Sequence, residues 1–256
     1  HAAKRMVAPN SMGLINTDSA VSRKGQFGPL SPPAGNVAMS SQSGALGIAI
    51  LDYATELNIG ISTFISIGNQ PDVSGDDLLL YWESDPSTDV ILLYMESFGK
   101  PRRFARAARR IAKKKPIVAV KSGRTAAGAR AASSHTGSLA SLDVAVDTLF
   151  RQAGVMRTDT LTELFEVTSL VANQPLPAGK RVGILTNAGG PGILAVDALE
   201  ANGLEVVEFS DELKASLRSF LAADASVSNP VDMIASAGAP EYEACIEILL
   251  ASDEID

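Results

Sequence analysis

One stretch of this chain occurs twice, and this repeat constrains the fold more than any other feature. Residues 37–52 read VAMSSQSGALGIAILD, and residues 182–197 read VGILTNAGGPGILAVD, a shift of 145 positions (182 − 37). In each copy an apolar run typical of a strand is followed by a turn of small residues and then by an apolar helix pattern. Strand, tight turn and buried helix form the first half of a βαβ unit. The repeat therefore predicts two similar α/β domains.

The turn in each copy indicates an anion-binding site. In the first copy, the hydroxyls of Ser41 and Ser43, the bare backbone of Gly44 and the free N–H groups of a helix N-terminus suit phosphate. In the second copy, the corresponding cradle consists of Gly189, Gly190 and Gly192. No lysine lies in either turn, and so neither is a Walker-type loop. An ordinary βα turn capped by serine is the alternative interpretation.

Composition excludes several function classes. Hydrophobic residues make up 46% and charged residues 20% of the chain, which is typical of a soluble globular protein. The net charge of −7 argues against broad nucleic-acid binding, and no apolar run is long enough to span a membrane. The single cysteine, Cys245, excludes an internal disulfide. These features predict a cytoplasmic protein.

Apolar runs and helix patterns alternate along the rest of the chain, as expected for parallel α/β domains. Strands are predicted at 37–39, 59–67, 90–95, 116–120, 155–157, 181–186 and 204–209, and helices at 45–57, 76–84, 101–115, 142–150, 161–173, 192–201, 211–221 and 242–250. Residues 37–173 form the first predicted domain and residues 180–256 the second, which we expect to be incomplete. Residues 1–36 are interpreted as the tail of a missing upstream domain followed by a linker.

Two further residues are candidates for chemistry. Glu96 directly follows the strand at 90–95, and carboxyl ends of strands are where open α/β sheets place their sites. His135 lies among small polar residues in a glycine-containing segment, where histidine serves as nucleophile, acid/base or ligand. No second histidine or cysteine has a spacing that would complete a metal site, and none is predicted. A solvated acid at a strand end is the alternative interpretation of Glu96.

Five motifs in order carry a family resemblance. They are Ser41–Gly47 with Glu96, then Lys121–Arg124, Ser134–Gly137, Asn187–Gly192 and Asn229–Asp232. Together they resemble the α subunit of NDP-forming acyl-CoA synthetases, in the succinyl-CoA synthetase superfamily. The resemblance implies two flavodoxin-like domains with doubly wound parallel sheets. It also implies an upstream CoA-binding domain, of which only Pro9–Asn16 would be present, and an ATP-grasp domain or subunit elsewhere.

The resemblance also implies a reaction. The enzymes of this family are acid–thiol ligases that interconvert acyl-CoA, ADP and phosphate with acid, CoA and ATP, using Mg²⁺, through an acyl phosphate and a phosphohistidine. His135 would be the phosphorylated residue, on a loop that travels between two sites. Glu96 would accept the other imidazole N–H and so fix the tautomer. A small carboxylic acid would be the substrate and an oligomer the working state, and this piece alone would be inactive.

Two other functions stay open at this stage. In some related proteins a ligase-like module is fused to an acetyltransferase and responds to acyl-CoA as a regulatory part. A flavodoxin-type module that binds a phosphate-bearing ligand such as FMN is the second alternative.

Overall fold

The computed structural model describes residues 5–7, 9–21, 23–26, 32–125, 127–128, 130 and 143–256. The chain divides into two compact units, His1–Gln174 and Pro175–Asp256. Each unit has a hydrophobic core of its own.

The first unit is built on a mainly parallel sheet of seven strands among the described residues. These are β1 (Gly13–Asn16), β2 (Arg23–Gln26), β3 (Ala34–Ser41), β4 (Ile61–Ser66), β5 (Val90–Met95), β6 (Ile117–Lys121) and β7 (Met156–Thr158), in the order β2-β1-β4-β3-β5-β6-β7. The parallel strands β3 to β7 follow the 2-1-3-4-5 order of flavodoxin-like sheets, which confirms the predicted fold class. Strand order reverses at β3, and a ligand crevice is therefore expected at the carboxyl ends of β3 and β5.

Helices cover both faces of this sheet. They are α1 (Gly44–Glu56), α2 (Gly75–Ser84), α3 (Pro101–Ile111), α4 (Asp143–Ala153) and α5 (Leu161–Asn173). One core cluster joins α2, α3 and α4 to the sheet, and another joins α1 and α5 to its opposite face. In β5, Ile91 and Leu93 lie in the first cluster while Val90 and Leu92 lie in the second. Because both faces of the strand are buried, its sequence is continuously apolar.

A short antiparallel hairpin extends one edge of the sheet. Strand β1 pairs with β2 and with β4, and both pairings are antiparallel. Met12 and Ile15 are buried in the same core cluster as α1. Strands of four residues are too short to show a clear alternation of apolar and polar positions, and the sequence analysis did not predict them. The assignment of residues 1–36 to a preceding domain stays a prediction.

A glycine fastens this N-terminal segment to the carboxyl end of β4. Gly68 has a φ of +52°, and a Cβ atom built on it would lie 2.2 Å from the carbonyl oxygen of Pro9. The next residue, Asn69, donates its backbone N–H to the same oxygen at 3.2 Å. Both the left-handed backbone and the close approach therefore require glycine.

The second unit contains a smaller parallel sheet. Its strands are β8 (Leu185–Thr186) and β9 (Val231–Asp232), and its helices are α6 (Gly189–Ala201), α7 (Asp211–Arg218) and α8 (Ala239–Leu250). Gly203, at the predicted position just past α6, has a φ of +76°. The segments predicted as strands at 181–186 and 204–209 form less strand structure than predicted. One isolated parallel bridge, between Arg181 and Glu205, is all the strand pairing that joins them in the described structure.

The amide of Asn229 holds these two segments together where the backbone pairing stops. Its Nδ2 donates to the carbonyl oxygens of Val182 at 2.7 Å and Val207 at 2.9 Å. Its Oδ1 accepts the N–H of Ile184 at 2.9 Å. A side chain thus satisfies backbone groups that strand pairing would otherwise satisfy. The predicted turn at 229–232 is therefore partly a structural element of the sheet.

Most other boundaries agree with the predicted ones to within a few residues. The largest difference is at α3, which ends at Ile111 and not at Lys115. Pro116 follows Lys115, and the residue before a proline disfavours helical geometry. Among the described residues, no helix combines the length and apolar character needed to cross a membrane.

Candidate functional site

The first repeat forms a hydroxyl-closed turn at the carboxyl end of β3. Ser41 Oγ donates to the carbonyl oxygen of Ser43 at 2.7 Å and accepts the N–H of Ser43 at 3.2 Å. Ser43 is the N-cap of α1, and its side chain accepts the N–H of Leu46 at 3.3 Å. Ser41 is fully buried, which favours a role in shaping the turn. The N–H groups of Gly44 and Ala45 donate to no described residue and lie where helices bind anions.

The second repeat reproduces the pair of hydrogen bonds that closes this turn. Thr186 Oγ1 donates to the carbonyl oxygen of Ala188 at 3.0 Å and accepts the N–H of Ala188 at 3.0 Å. Thr186 and Ala188 are the positions that match Ser41 and Ser43 in the sequence repeat. Gly189 and Gly190 then begin α6, as Gly44 and Ala45 begin α1, and Gly192 is buried against Thr186 and Pro230. The equivalence of the two turns therefore extends from sequence to hydrogen bonding.

The two turns differ in their electrostatics. A Cβ atom on Gly189 would lie 3.0 Å from Oδ2 of Asp232, at the carboxyl end of β9. A carboxylate there already interacts favourably with the N-terminus of α6 and opposes the approach of a second anion. Pro191 also lacks an N–H group. The geometry therefore favours the first turn, at Gly44, as the stronger anion site.

Glu96 lies at the carboxyl end of β5, beside the first turn. Gln42 links the two, because its Oε1 accepts the N–H groups of Glu96 at 2.8 Å and Ser97 at 2.9 Å. Its Nε2 donates to the carbonyl oxygen of Ser97 at 2.8 Å. The Glu96 side chain is half-buried and forms no hydrogen bond or ion pair with any other described residue. The structure thus places Glu96 at the switch point of the sheet, linked to the first turn through Gln42.

Lys121 is a functional candidate that the sequence analysis named only within a motif. It ends β6, where it pairs in register with Met95, the residue before Glu96. Its side chain is buried, with Nζ donating to the carbonyl oxygen of Ser122. Burial lowers the pKa of the Lys121 amine, and the nearby charge of Arg157 acts in the same direction, while Asp143 and Glu96 oppose both. The sequence signal that could have identified Lys121 is its position as the last residue of an apolar strand.

An ionic cluster joins the residues that precede and follow the segment containing His135. Arg124 contacts Asp159 at 2.5 Å and Asp143 at 3.7 Å. Arg157 forms a second ion pair with Asp143. His135 itself lies outside the described residues, and the hypothesis about its role is neither supported nor contradicted by this geometry.

A cavity of about 720 Å³ opens at the same edge of the sheet. It is lined by Gln42, residues 68–72 and 97–100, and by side chains including Arg5, Asp77 and Arg103. Arg103 contacts the buried carboxylate of Asp76 at 3.1 Å and that of Asp77 at 2.8 Å. The cavity is therefore polar, and its charges are largely paired within its own wall.

In the described part of the chain, no group of three or more His, Cys, Asp or Glu side chains is placed to hold a metal ion. Cys245 is buried with its Sγ 3.4 Å from the sulfur of Met233, and burial raises the pKa of its thiol. A raised pKa disfavours the thiolate that would be needed for reactivity.

Family comparisons cover almost the whole chain. Residues 34–171 match the family described as Succinyl-CoA ligase like flavodoxin domain, and residues 182–256 match the Ligase-CoA domain. The chain is 42% identical over 233 residues to acetate–CoA ligase (ADP-forming) of Methanocaldococcus jannaschii, covering 91% of this chain and 33% of that protein. It is 40% identical over 259 residues to subunit alpha of acetate–CoA ligase (ADP-forming) II of Pyrococcus furiosus, covering 98% and 54%.

A solved structure gives the same result. The match is to dinucleotide forming acetyl-coenzyme A synthetase 1 of Candidatus Korarchaeum cryptofilum in complex with phosphate and ADP, with a TM-score of 0.92 and 36% identity. It covers 98% of this chain and 54% of that one. The chain thus spans between a third and about half the length of these relatives. On this sequence and structural similarity, the chain belongs to the ADP-forming acyl-CoA synthetase family, within the succinyl-CoA synthetase superfamily.

Proposed function

We propose that this chain is the part of an ADP-forming acid–thiol ligase that carries the phosphorylated histidine. The complete enzyme interconverts acyl-CoA, ADP and phosphate with a small carboxylic acid, CoA and ATP, with Mg²⁺. The observation that carries this proposal is that Gln42, in the turn at the free N-terminus of α1, bonds to the strand end that carries Glu96. In this arrangement the helix N-terminus holds the phosphate, and the carboxylate accepts an N–H of the imidazole that attacks it.

His135 is the nucleophile in this proposal. One imidazole nitrogen attacks the phosphorus of the acyl phosphate, so that a P–N bond forms, the P–O bond to the acyl group breaks and the carboxylate leaves with the bonding electrons. Glu96 accepts the N–H of the other nitrogen, which fixes the tautomer and stabilises the developing positive charge. In the second half of the reaction, ADP takes the phosphate from His135.

Two helix N-termini hold the phosphate at different stages. The N–H groups of Gly44 and Ala45 serve with the Ser43 hydroxyl at the first site, and Ser41 maintains the shape of that turn. Gly189, Gly190 and Gly192 form the second cradle. Each helix dipole contributes about 0.3–1 kcal/mol when exposed and up to about 2 kcal/mol when partly buried. Lys121 adds a nearby positive charge at the first site when it is protonated.

Other domains complete the enzyme. An upstream CoA-binding domain and an ATP-grasp domain or subunit supply the CoA and nucleotide sites. Residues 37–173 and 180–256 are the two ligase-like domains of this chain, and the assembly is a cytoplasmic oligomer. The names of the relatives support this division, because one of them is itself called subunit alpha.

The alternatives have less support. The similar proteins named above are ligases, and neither an acetyltransferase-linked regulator nor an FMN-binding protein is among them. For the 256-residue chain alone we expect no acyl-CoA formation, since it would lack the CoA and nucleotide sites.

Phosphate labelling tests the proposal. The full-length protein is mixed with an acyl-CoA and labelled inorganic phosphate in the absence of ADP, so that label reaches His135 through the acyl phosphate. We expect label that is lost in acid and kept in base, as for a phosphoramidate, and no label in His135→Ala. Glu96→Gln should slow labelling by about 10²–10⁴-fold without abolishing it, the range typical of acid–base groups.

An exposed acid on α5 provides the control. Glu166→Gln removes a carboxylate that is distant in sequence from the anion-binding turn, and His135 of this variant should be labelled at the normal rate. Label that survives acid, or that persists in His135→Ala, would contradict the phosphohistidine. A normal labelling rate in Glu96→Gln would show that Glu96 is only a solvated acid at the end of a strand.

A further inference from the structure

Gln42 has an unusual position for a side chain in an anion-binding turn. It lies between Ser41 and Ser43, yet it is only 7% exposed. All three of its side-chain hydrogen bonds, at 2.8–2.9 Å, go to the backbone of Glu96 and Ser97 on the neighbouring strand end. Its own N–H continues the β3–β5 pairing by donating to the carbonyl oxygen of Tyr94 at 3.2 Å. The side chain and the backbone N–H of Gln42 therefore both bond to the end of β5.

These bonds restrain the residue that the reaction needs. The N–H groups of Glu96 and Ser97 flank the Cα atom of Glu96, and one oxygen of Gln42 accepts both. On the opposite side of β5, Ser122 donates its N–H to the carbonyl oxygen of Met95 at 2.9 Å. The Glu96 carboxylate contacts no described partner, and so its position depends on the backbone that carries it.

We propose that Gln42 is a positioning residue, which places the Glu96 carboxylate for phosphoryl transfer by fixing the carboxyl end of β5 to the anion-binding turn. This inference rests on the function proposed above and adds a second residue to its machinery. Gln42 also occupies the N–H groups of Glu96 and Ser97. These two N–H groups are therefore not available to an anion, whereas those of Gly44 and Ala45 donate to no described residue.

Only an amide of this length meets the demands of the site. The strand end presents two N–H donors and one carbonyl acceptor, and an amide supplies the matching oxygen and NH₂ group. Asparagine is one methylene shorter. An ionised glutamate can still accept the N–H groups of Glu96 and Ser97. It loses the bond to the carbonyl oxygen of Ser97, however, and places a like charge beside Glu96. Methionine has a similar volume and can form none of the three bonds.

The rate at which His135 of the full-length protein is labelled from acyl-CoA and labelled phosphate tests this inference. In Gln42→Met we expect that rate to fall about 10- to 100-fold, the effect of misplacing a reacting group by about 1 Å. Labelling of His135 from ATP labelled in the γ-phosphate, measured with the ATP-grasp partner and Mg²⁺, should not change, because in the proposed reaction that transfer takes place at the nucleotide site of the partner and not beside Glu96. Gln70→Met is the matched control, since Gln70 lines the same cavity but bonds to Gly75 and not to β5. We expect it to label normally.

A double-mutant cycle separates positioning of Glu96 from a general structural role. If Gln42 acts through Glu96, Gln42→Met should change the labelling rate of Glu96→Gln by no more than about twofold. Gln42→Glu serves as the second variant if Gln42→Met fails to fold, because it keeps both bonds to the strand-end N–H groups. We expect it to label about tenfold more slowly than the unsubstituted protein. Circular dichroism establishes that each variant is folded.

Several results would overturn the inference. Labelling within twofold of normal in a folded Gln42 variant would remove the positioning role while leaving the proposed function intact. An equally large loss in the Glu96→Gln background would show that Gln42 acts independently of Glu96. Unsubstituted protein that takes no label on histidine would overturn the proposed function and this inference together.

Discussion

Two glycines in α1 differ in what surrounds them. A Cβ atom on Gly47 would lie 2.7 Å from the sulfur of Met12 and 2.9 Å from Cζ of Phe64, whereas one on Gly44 would come no closer than 3.4 Å to any neighbour. Gly47 is therefore a point where α1 packs closely against Met12 and Phe64. Its partner in the repeat, Gly192, is similarly close to Thr186, at 3.2 Å. The repeated glycine thus has a packing reason in both units.

This contrast predicts different effects for the same substitution. Gly47→Ala should lower the free energy of unfolding by about 1–3 kcal/mol, because the added methyl group overpacks the contact with Met12 and Phe64. Gly44→Ala is the control and should change it by no more than about 0.5 kcal/mol. Urea unfolding followed by circular dichroism measures both. Equal stabilities for the two variants would contradict the packing argument.

At the scale of elements, α2 begins with a network around a single carboxylate. Asp77 accepts hydrogen bonds from the N–H of Ser74 at 3.1 Å, from its hydroxyl at 2.7 Å, and from Arg103 at 2.8 Å. Partial burial raises the pKa of the Asp77 carboxyl, but these bonds and the charge of Arg103 outweigh it and hold the pKa below its usual value. The network also joins α2 to α3.

The lowered pKa makes a prediction about acid stability. Asp77 titrates near 3.8 in the unfolded chain and below that value in the folded one. Its stabilising contribution is therefore fully present above about pH 4 and is lost as the pH falls through the lower, folded value. Asp77→Asn should lower stability at pH 7 and flatten its decline below pH 4, in urea unfolding measured across pH. Asp52→Asn, at an exposed position of α1, should leave that slope unchanged.

At the scale of the whole molecule, an exposed segment separates the two units. Every residue from 173 to 180 is exposed, and the division into units falls after Gln174. Each unit keeps its own core, with Trp82 and Phe165 buried in the first and Phe209 and Val231 in the second. If the assignment of residues 37–173 and 180–256 as two domains is correct, cleavage between them should leave both folded.

Limited proteolysis tests that assignment. Brief digestion of the 256-residue chain with subtilisin should cut first within residues 173–180, where the backbone is exposed and joins two separate cores. Mass spectrometry should find one fragment ending and another beginning there, and both should resist further digestion. First cuts inside α1 to α3 or α6 to α8, with no stable pair of fragments, would contradict two independently folded domains.

Local patterns in the sequence determined much of this protein. Alternating apolar runs and helix patterns predicted the parallel α/β class, which the sheet order and the family matches confirm. The repeat predicted two equivalent turns, and Ser41 and Thr186 form the same pair of bonds. These features depend on residues close together in sequence, where strand period, capping and turn chemistry act directly.

Only the tertiary structure decided the rest. Gln42 meets Glu96 across 54 positions, and Asn229 meets Val182 across 47. Neither glutamine nor asparagine carries a local sign of such a partner, because the partner is a backbone group left unpaired at a strand end. The antiparallel pairing of β1 with β4 and the burial of Lys121 arise in the same way, because both depend on which strands become neighbours. Strand order is set by packing of the whole sheet, and so the contacts that shape this site follow from the fold and not from any one stretch of sequence.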